Sequence, residues 1–252
     1  MTAVYLGDHT VLAETVQGRK IFLDSRDVSL TPHIALRSQW EPGVTNWVLS
    51  TLPGSPEGIF IDGGANVGWY SLLARHHKRD VLAIDANPRM VELLKKTFAV
   101  NGMLPPQGAS RVECAALGHQ DEAHCFLVHA PDNFGSADVA YRSDNPNKIV
   151  SKEATMRTLD SLLAPGTKVC MIKLDIEGWE PQALQGAERV LEENPQAPLL
   201  LEHNAGNGSC IESMCLRGYG LALIDGYSLQ EIVPTDLVDV AHGRMLVLRR
   251  RK

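Results

Sequence analysis

Residues 59–74, IFIDGGANVGWYSLLA, decide the fold. An apolar run leads into Asp62 and a glycine-rich turn, and the residues that follow have helical spacing. This pattern predicts a strand that delivers a tight loop to a helix N-terminus, where free backbone N–H groups and the helix dipole can receive a polar or anionic ligand. Glycine suits such a loop because a Cβ would hold the ligand away from the backbone.

The loop departs from the dinucleotide-binding fingerprint G-x-G-x-x-G. Counted from Gly63, the second required glycine falls on Ala65. What remains is a set of polar and small residues at alternate positions: Asp62, Gly64, Asn66 and Gly68. Because the chain also lacks a Tyr-x-x-x-Lys pair, a nicotinamide-dependent oxidoreductase is disfavoured.

Composition places the chain among soluble globular proteins. It has 252 residues, of which 44% are hydrophobic and 21% are charged. The net charge of −6 argues against binding to nucleic acid or to an anionic membrane surface, and no apolar run approaches the roughly 20 residues of a membrane helix. Five cysteines without C-x-x-C spacing, and an N-terminus unlike a signal peptide, favour a cytoplasmic protein.

Strand and helix patterns alternate from residue 58 onward, which predicts a mostly parallel sheet with crossover helices. The expected strands are 58–62, 80–85, 111–116, 169–175, 198–203, 219–225 and 244–249. The expected helices are 67–77, 88–101, 180–193 and 208–217. Residues 1–57 contain short strand patterns broken by turns, and we expect them to form a small N-terminal cap on a main domain of residues 58–252.

Two strand ends offer groups for a nucleoside. Asp85 ends the second strand, 21 residues beyond Gly64, where a carboxylate can accept both hydroxyls of a ribose; the alternative is an acidic residue at a helix start. Small residues at the end of the third strand, including Ala116 and Leu117, could let an adenine lie against the backbone. Ser136 belongs to a polar loop that either lines the pocket or is ordinary turn chemistry.

The fourth and fifth strands end in the residues with the clearest chemical potential. Asp175 follows the fourth strand, and in an extended segment Glu177 would point the same way. Glu202 and His203 end the fifth strand, and adjacent strands lie only about 4.8 Å apart. Such a group could act as a general base with its partner or bind a hard cation. A solvated strand end is the alternative for Glu202 and His203.

Several motifs together resemble the FkbM family of S-adenosylmethionine (SAM)-dependent methyltransferases. The resemblance covers roughly residues 40–205. The matching segments are DGGANVG at 62–68, NG at 101–102, ALG at 116–118, TLD at 158–160, IKLDIEGWE at 172–180, LQGA at 184–187 and EH at 202–203, with WEP at 40–42 upstream. Gly63 and Asp85 depart mildly from the family pattern.

The resemblance implies a class I, Rossmann-like α/β fold. Its sheet has seven mostly parallel strands with an antiparallel last strand, here joined to the small β-containing cap. SAM would be bound by Asp62, Gly64, Asn66, Gly68, Asp85, Ala116, Leu117 and Ser136. The family typically methylates hydroxyls, so the expected acceptor is a sugar, a glycoside or a secondary metabolite, and a homo-oligomer is compatible with the sequence.

Two routes to an activated hydroxyl remain open at this point. In one, Asp175, Glu202 and His203 hold Mg²⁺ and Glu177 is the base, although histidine is an unusual magnesium ligand. In the other, His203 or Glu177 is the base without a metal, and Asp175 orients it. The alternative functions are N-methylation of an amino sugar, which the absence of an Asn/Asp-Pro-Pro-Tyr motif disfavours, and non-catalytic SAM binding, which the intact acidic residues disfavour.

Overall fold

A computed structural model describes residues 3–122, 124–129, 137–140, 149–204 and 206–251. The N-terminal segment forms a three-stranded antiparallel sheet followed by two helices. These elements are β1 (Val4–Gly7), β2 (Thr10–Glu14), β3 (Lys20–Asp24), α1 (Leu30–Arg37) and α2 (Pro42–Thr51). The predicted β-containing cap is therefore present, and it is followed by a short 3₁₀ turn at Leu52–Gly54.

Residues 59–74 form a strand, a tight loop and a helix, as predicted. Two strand–helix units and a further strand follow one another here: β4 (Ile59–Gly63), α3 (Trp69–His76), β5 (Val81–Asp85), α4 (Pro88–Val100) and β6 (Arg111–Cys114). Asn87 caps α4 through its side chain, which accepts the Arg89 N–H at 3.0 Å, and Pro88 occupies the first helical turn.

A second small sheet, which the sequence patterns did not predict, is inserted after β6. Its strands are β7 (Ala116–Leu117), β8 (His124–His129), β9 (Ala137–Ala140) and β10 (Ile149–Arg157), in the spatial order β7-β10-β8-β9. The short helix α5 (Leu159–Leu162) returns the chain to the main sheet.

The remaining elements complete the main sheet. They are β11 (Val169–Leu174), α6 (Glu180–Gln185), α7 (Glu188–Glu193), β12 (Leu199–His203), α8 (Gly208–Leu216), β13 (Tyr219–Asp225), β14 (Ser228–Ile232) and β15 (Arg244–Arg250). A 3₁₀ turn at Pro234–Asp239 precedes β15. The single helix expected over 180–193 is divided at Gly186 and Ala187, where a Cβ on Gly186 would lie 2.0 Å from the Gly118 carbonyl oxygen.

The main sheet has the order β14-β13-β15-β12-β11-β4-β5-β6. The strands from β12 to β6 are parallel, and β15 runs antiparallel between β12 and β13. All seven predicted strands and the antiparallel last strand are confirmed. The prediction of seven strands was nevertheless one short, because β14 forms a hairpin with β13 at the edge. Its sequence, SLQEI, is almost wholly exposed and lacks the apolar run that identifies buried strands.

The two faces of the sheet bury separate apolar cores. Successive residues of β4 alternate between them, since Phe60 packs in one cluster and Ile61 in the other. The first core also contains Ile21 and Leu23 of β3 and helices α3 and α4. The N-terminal segment thus packs on the sheet domain, and the boundary between residues 57 and 58 stays a prediction.

An arginine joins that segment to the sheet domain. Arg89 of α4 lies 3.0 Å from the buried Asp24 carboxylate, which Arg26 also contacts at 2.7 Å. Burial raises the pKa of Asp24, but hydrogen bonds from Arg26 and Arg89 outweigh it and lower the pKa to about 2. No helix in the described parts of the chain is long and apolar enough to cross a membrane.

Candidate functional site

A cleft of about 290 Å³ lies at the carboxyl ends of the parallel strands. The loop after β4, the ends of β5 and β6, the loop after β11 and the end of β12 line it. Residues of the N-terminal segment, including Trp40 and Glu41, close one side. Open α/β sheets bind ligands at this edge, where strand ends converge and backbone groups are exposed.

Gly64 is required by the packing of the loop itself. Its φ is +68°, and a Cβ would lie 1.8 Å from the Asp175 carbonyl oxygen. The backbone N–H groups of Gly64 and Ala65 both donate to the Ile84 carbonyl at 3.0 Å. The sequence predicts a ligand against this glycine, and in the structure the loop after β11 also approaches it closely.

Asp62 and Gly68 lie behind the loop and outside the lining of the cleft. Asp62 is fully buried, and the Ser71 hydroxyl donates to its Oδ2 at 2.6 Å. Gly68, at the start of α3, has a φ of +94° and lies against Leu94 of α4. Both residues support the loop, and their assignment to cofactor binding stays a prediction.

Asp85 is held in place by the backbone on both sides of it. Its Oδ2 accepts the Asn66 N–H at 2.7 Å, and its Oδ1 accepts the Asn87 N–H at 2.8 Å. Burial raises the pKa of Asp85 to about 6, although these two hydrogen bonds oppose the shift. A carboxylate oxygen has two lone pairs, so each oxygen can accept one more donor from the cleft.

Small apolar side chains line the cleft beyond Asp85. Ala86 and the run Ala115, Ala116 and Leu117 belong to the ends of β5 and β6 and to β7. Ala116 and Leu117 are buried in the fold and still contribute to the lining. We refer to this slot and Asp85 as the ribose end of the cleft, after the sugar that the sequence analysis predicts there. Ser136, which the sequence also assigned to the site, lies outside the described residues.

Opposite the ribose end, a buried lysine lies among carboxylates. The Lys173 ammonium is 3.3 Å from Asp175 Oδ2, 3.8 Å from Asp62 Oδ1 and 3.3 Å from the Gly64 carbonyl oxygen. Burial lowers the pKa of Lys173, but attraction to Asp175, Asp62 and Glu41 outweighs it and raises the pKa. For Asp62, burial raises the pKa although Lys173 and Ser71 oppose the shift.

Glu41 and Tyr70 face the same lysine from the side of the N-terminal segment. The Tyr70 hydroxyl donates to Glu41 Oε2, and the Lys173 ammonium lies 5.0 Å from the centre of the Tyr70 ring. Burial and repulsion from Asp175 raise the pKa of Glu41. Burial and the neighbouring Glu41 also raise the pKa of Tyr70 well above its usual range, so Tyr70 stays protonated and donates.

Asp175 and Glu177 both line the cleft, as predicted, but not for the predicted reason. The chain leaves β11 at Leu174, and Glu177 has a φ of +57°, so the segment is a turn rather than an extended strand. Glu180, at the start of α6, accepts the Ile176 N–H at 2.9 Å and fixes this turn. Glu180 therefore has a structural role.

Glu202 lines the cleft from the end of β12. Burial, followed by repulsion from Asp175, raises the pKa of Glu202 to about 8. Glu177 and Glu180 add to the repulsion, while Asn204, whose Nδ2 donates to Glu202 Oε2 at 2.6 Å, opposes it. We refer to Glu41, Tyr70, Lys173, Asp175, Glu177 and Glu202 as the charged end of the cleft.

His203 is directed away from the charged end. It lines a second cavity together with His242, and the two imidazole centres are 5.5 Å apart. Its Nδ1 lies 3.2 Å from Asn207 Oδ1. Successive residues of a strand point to opposite faces, and this alternation separates His203 from Glu202. The predicted cluster of Asp175, Glu202 and His203 is therefore not formed, and no group of three metal-ligating side chains occurs among the described residues.

Most of the residues that line the cleft lie within a recognised domain. Residues 62–216 match the methyltransferase FkbM domain. The chain belongs to the FkbM family of SAM-dependent methyltransferases. The match begins at Asp62, includes the glycine-rich loop, Asp85 and the Asp175 turn, and extends beyond Glu202. A comparison with curated proteins found no match.

Solved structures show that FkbM-type and other SAM-dependent methyltransferases share the fold. An FkbM methyltransferase from Methylobacillus flagellatus is 18% identical, with a TM-score of 0.51 over 76% of this chain and 43% of its own. A SAM-dependent methyltransferase from Agrobacterium tumefaciens is 11% identical, with a TM-score of 0.51 over 99% of this chain and 72% of its own. The chain thus spans less than half of the Methylobacillus protein.

Three residues of the charged end were missed or assigned minor roles from the sequence: Glu41, Tyr70 and Lys173. Lys173 gave the clearest signal, because it interrupts the apolar run of β11 and a buried lysine requires partners. Glu41 and Tyr70, which face Lys173, come from distant parts of the chain. Glu41 was noted only as part of the Glu-Pro turn, and Tyr70 lies on the helix after the loop.

Proposed function

We propose that this FkbM domain transfers a methyl group from SAM to a hydroxyl group of a small molecule. The observation that carries the proposal is one wall of the cleft, where Asp175, Glu177 and Glu202 stand beside the glycine-rich loop. A neutral hydroxyl is a poor nucleophile, so its methylation needs a base close to the donor. This wall supplies carboxylates at that place.

The ribose end fits the adenosyl part of the donor. Asp85 retains acceptor capacity toward the cleft and can bind the two ribose hydroxyls, and the alanine-lined slot offers apolar contact to a flat base. Gly64, Asn66, Ala116 and Leu117 complete this end. When bound, SAM supplies an electrophilic methyl group on a sulfonium.

Glu202 is the group we assign to proton removal. A base works best when its pKa lies near the working pH. Burial and the carboxylate neighbours raise the pKa of Glu202 to about 8. The acceptor oxygen forms a bond to the methyl carbon as the carbon–sulfur bond breaks, and the hydroxyl proton passes to Glu202. Asp175 and Glu177 orient the hydroxyl in line with that bond.

The proposed mechanism uses no divalent metal. The ligand set expected for one required His203 beside Asp175 and Glu202, and His203 lines the other cavity. The carboxylate route uses only side chains that line the cleft.

A sugar, a glycoside or another secondary metabolite is the acceptor class we propose, since its hydroxyls match a wall of hydrogen-bond acceptors. We also propose a cytoplasmic location, which agrees with five free cysteines.

The test is a turnover assay that measures S-adenosylhomocysteine formation over a panel of hydroxyl-bearing and amino-bearing acceptors. We expect turnover with a hydroxyl acceptor, unchanged after EDTA treatment, together with calorimetric binding of SAM. Failure to bind SAM would overturn the donor assignment. Turnover restricted to amino acceptors would overturn the O-methylation assignment, and loss of turnover in EDTA would overturn the metal-free route.

A further inference from the structure

Glu41 reaches the cleft from outside the sheet domain. It precedes α2, where Pro42 occupies the first turn, and its φ of +38° is a conformation that non-glycine residues rarely adopt. The residue at this position commonly caps its helix, but the Glu41 side chain makes no capping hydrogen bond. The carboxylate is instead directed to the cleft, which it lines.

Tyr70 fixes the direction of this carboxylate. Tyr70 is only 4% exposed, and its hydroxyl donates to Glu41 Oε2. A hydrogen bond from the Trp40 side chain also lowers the pKa of Glu41. A carboxylate can accept about four hydrogen bonds, so these two contacts position Glu41 and leave capacity for a further donor.

The charge balance around Glu41 favours a cation. The carboxylates of Glu41, Asp62 and Asp175 all attract the ammonium of Lys173. That ammonium is already engaged by Asp175, Asp62 and the Gly64 carbonyl. Three carboxylates thus surround one ammonium group, and two of them, Glu41 and Asp175, reach the wall of the cleft, where an additional cation would be stabilised.

The position of Glu41 along the cleft indicates which cation it would bind. Asp85 and the alanine-lined slot lie at the ends of β5 and β6, whereas Lys173 lies on β11 and Glu41 on the N-terminal segment. In the sheet order, β4 separates β5 from β11. A ligand with its base in the slot and its ribose at Asp85 therefore directs the rest of the molecule toward Glu41.

We propose that Glu41, positioned by Tyr70, binds the α-ammonium group of the donor's amino-acid portion. The inference rests on the proposed function, because it takes the ribose end as the site of the adenosyl group. It assigns part of donor recognition to the N-terminal segment, outside the residues that match the FkbM domain.

The test compares two probes by calorimetry. S-adenosylhomocysteine carries the ammonium, and 5′-methylthioadenosine has the same adenosine without the amino acid. In Glu41→Gln we expect the affinity for S-adenosylhomocysteine to fall roughly 10- to 100-fold, because a charge-assisted hydrogen bond is lost, while the affinity for methylthioadenosine is unchanged. Glu57→Gln, at an exposed glutamate of the same segment, should change neither affinity.

The ratio of the two affinities protects the test against misfolding, since a smaller folded fraction would weaken both probes alike. Equal losses for both probes, or no loss for either, would overturn the inference. A loss for SAM without a loss for S-adenosylhomocysteine would also overturn it, because it would place Glu41 at the sulfonium. Wild-type protein that binds neither SAM nor the two probes would overturn the proposed function instead.

Tyr70→Phe tests the positioning role separately. The substitution removes the hydroxyl that orients Glu41 and keeps the buried ring. We expect a smaller loss of S-adenosylhomocysteine affinity than in Glu41→Gln, again with methylthioadenosine unchanged. An unchanged affinity for S-adenosylhomocysteine would remove Tyr70 from the proposal.

Discussion

The two ends of the cleft are built in different ways. At the ribose end, Asp85 is positioned by backbone N–H groups only 19 and two residues away, and its neighbours follow β5 and β6 directly. At the charged end, Glu41, Tyr70, Lys173 and Glu202 come from four separate parts of the chain. These side chains are positioned by one another's charges and hydrogen bonds.

Under the proposed function, adenosyl binding depends on one end, whereas proton removal and the compensation of buried charges depend on the other. A substitution at the ribose end should weaken adenosyl binding but leave the charges around Lys173 compensated. A substitution at the charged end changes the charge balance around Lys173 or Glu202, so it can alter catalysis or folding without touching the adenosyl contacts. Single substitutions can therefore disable one end while the other still works.

The largest effect is expected for Glu202→Gln. Glutamine keeps the size of the side chain but cannot take a proton from the acceptor, so kcat should fall roughly 10²- to 10⁴-fold while S-adenosylhomocysteine still binds. Steady-state kinetics and calorimetry measure the two quantities. Glu212→Gln, an exposed glutamate beside the second cavity, is the matched control and should retain activity.

The pH profile of the wild type sharpens the same assignment. Glu202 must be ionised to act as a base, and its carboxylate neighbours Asp175, Glu177 and Glu180 hold its pKa near 8 together with burial. The value of kcat/KM should therefore rise about tenfold per pH unit below that pKa and level off above it. A profile already flat at neutral pH would contradict Glu202 as the base.

The next largest effect is expected on stability, for Lys173→Met. The variant leaves Asp62 and Asp175 without their cation, and breaking a buried ion pair in this way costs roughly 3–5 kcal/mol of unfolding free energy. Burial already raises the pKa of Asp62, and losing Lys173 raises it further. The deficit should therefore be largest at high pH, where Asp62 is charged, and should shrink as pH falls and Asp62 takes up a proton.

Urea unfolding at two pH values measures this effect, and Lys168→Met is the control because Lys168 is exposed just before the same strand. Equal stability of the two variants would show that the buried charges are compensated without Lys173.

A smaller effect is expected at the ribose end, for Asp85→Asn. The amide offers fewer acceptor sites, and its NH₂ group cannot accept a hydrogen bond from a backbone N–H. The affinity for the adenosyl ligands should therefore fall roughly 10- to 100-fold. Unlike Glu41→Gln, this change should lower the affinities for S-adenosylhomocysteine and for methylthioadenosine equally. Asp80→Asn, just before the opposite end of β5, is the control. A loss of affinity for S-adenosylhomocysteine alone would place the amino-acid portion of the ligand, and not its ribose, at Asp85.

The sequence predicted the ribose end better than the charged end, for a physical reason. Residues 59–74 and Asp85 are local patterns, in which an apolar strand, a tight turn and a helix start determine one another. Six of the seven predicted strands carry buried apolar residues, which made them predictable, whereas β6 is partly exposed. The exposed β14 has no apolar run, and the inserted sheet is largely defined by pairing between β8 and β10, which sequence periodicity does not encode.

The charged end depends on contacts that only the folded chain creates. Lys173 signalled a buried charge, but nothing near it in sequence indicates Glu41, which is more than 100 residues away. Asp175 and Glu177 both line the cleft, but they do so from a turn and not from the extended segment that the sequence predicts. The error over His203 was avoidable, because the alternation of β12 already separates it from Glu202.

The smallest effect on catalysis is expected for His203→Gln, and it tests which face of β12 does the chemistry. His203 contacts Asn207 and His242 in the second cavity, so glutamine should cost about 1–3 kcal/mol of stability through the disturbed hydrogen bond. Because the cleft contains Glu202 and not His203, kcat of the folded variant should equal that of the wild type. Thermal unfolding and steady-state kinetics separate the two effects. A fall in kcat comparable to that of Glu202→Gln would restore His203 to the active site and place the reacting hydroxyl between the two faces of the strand.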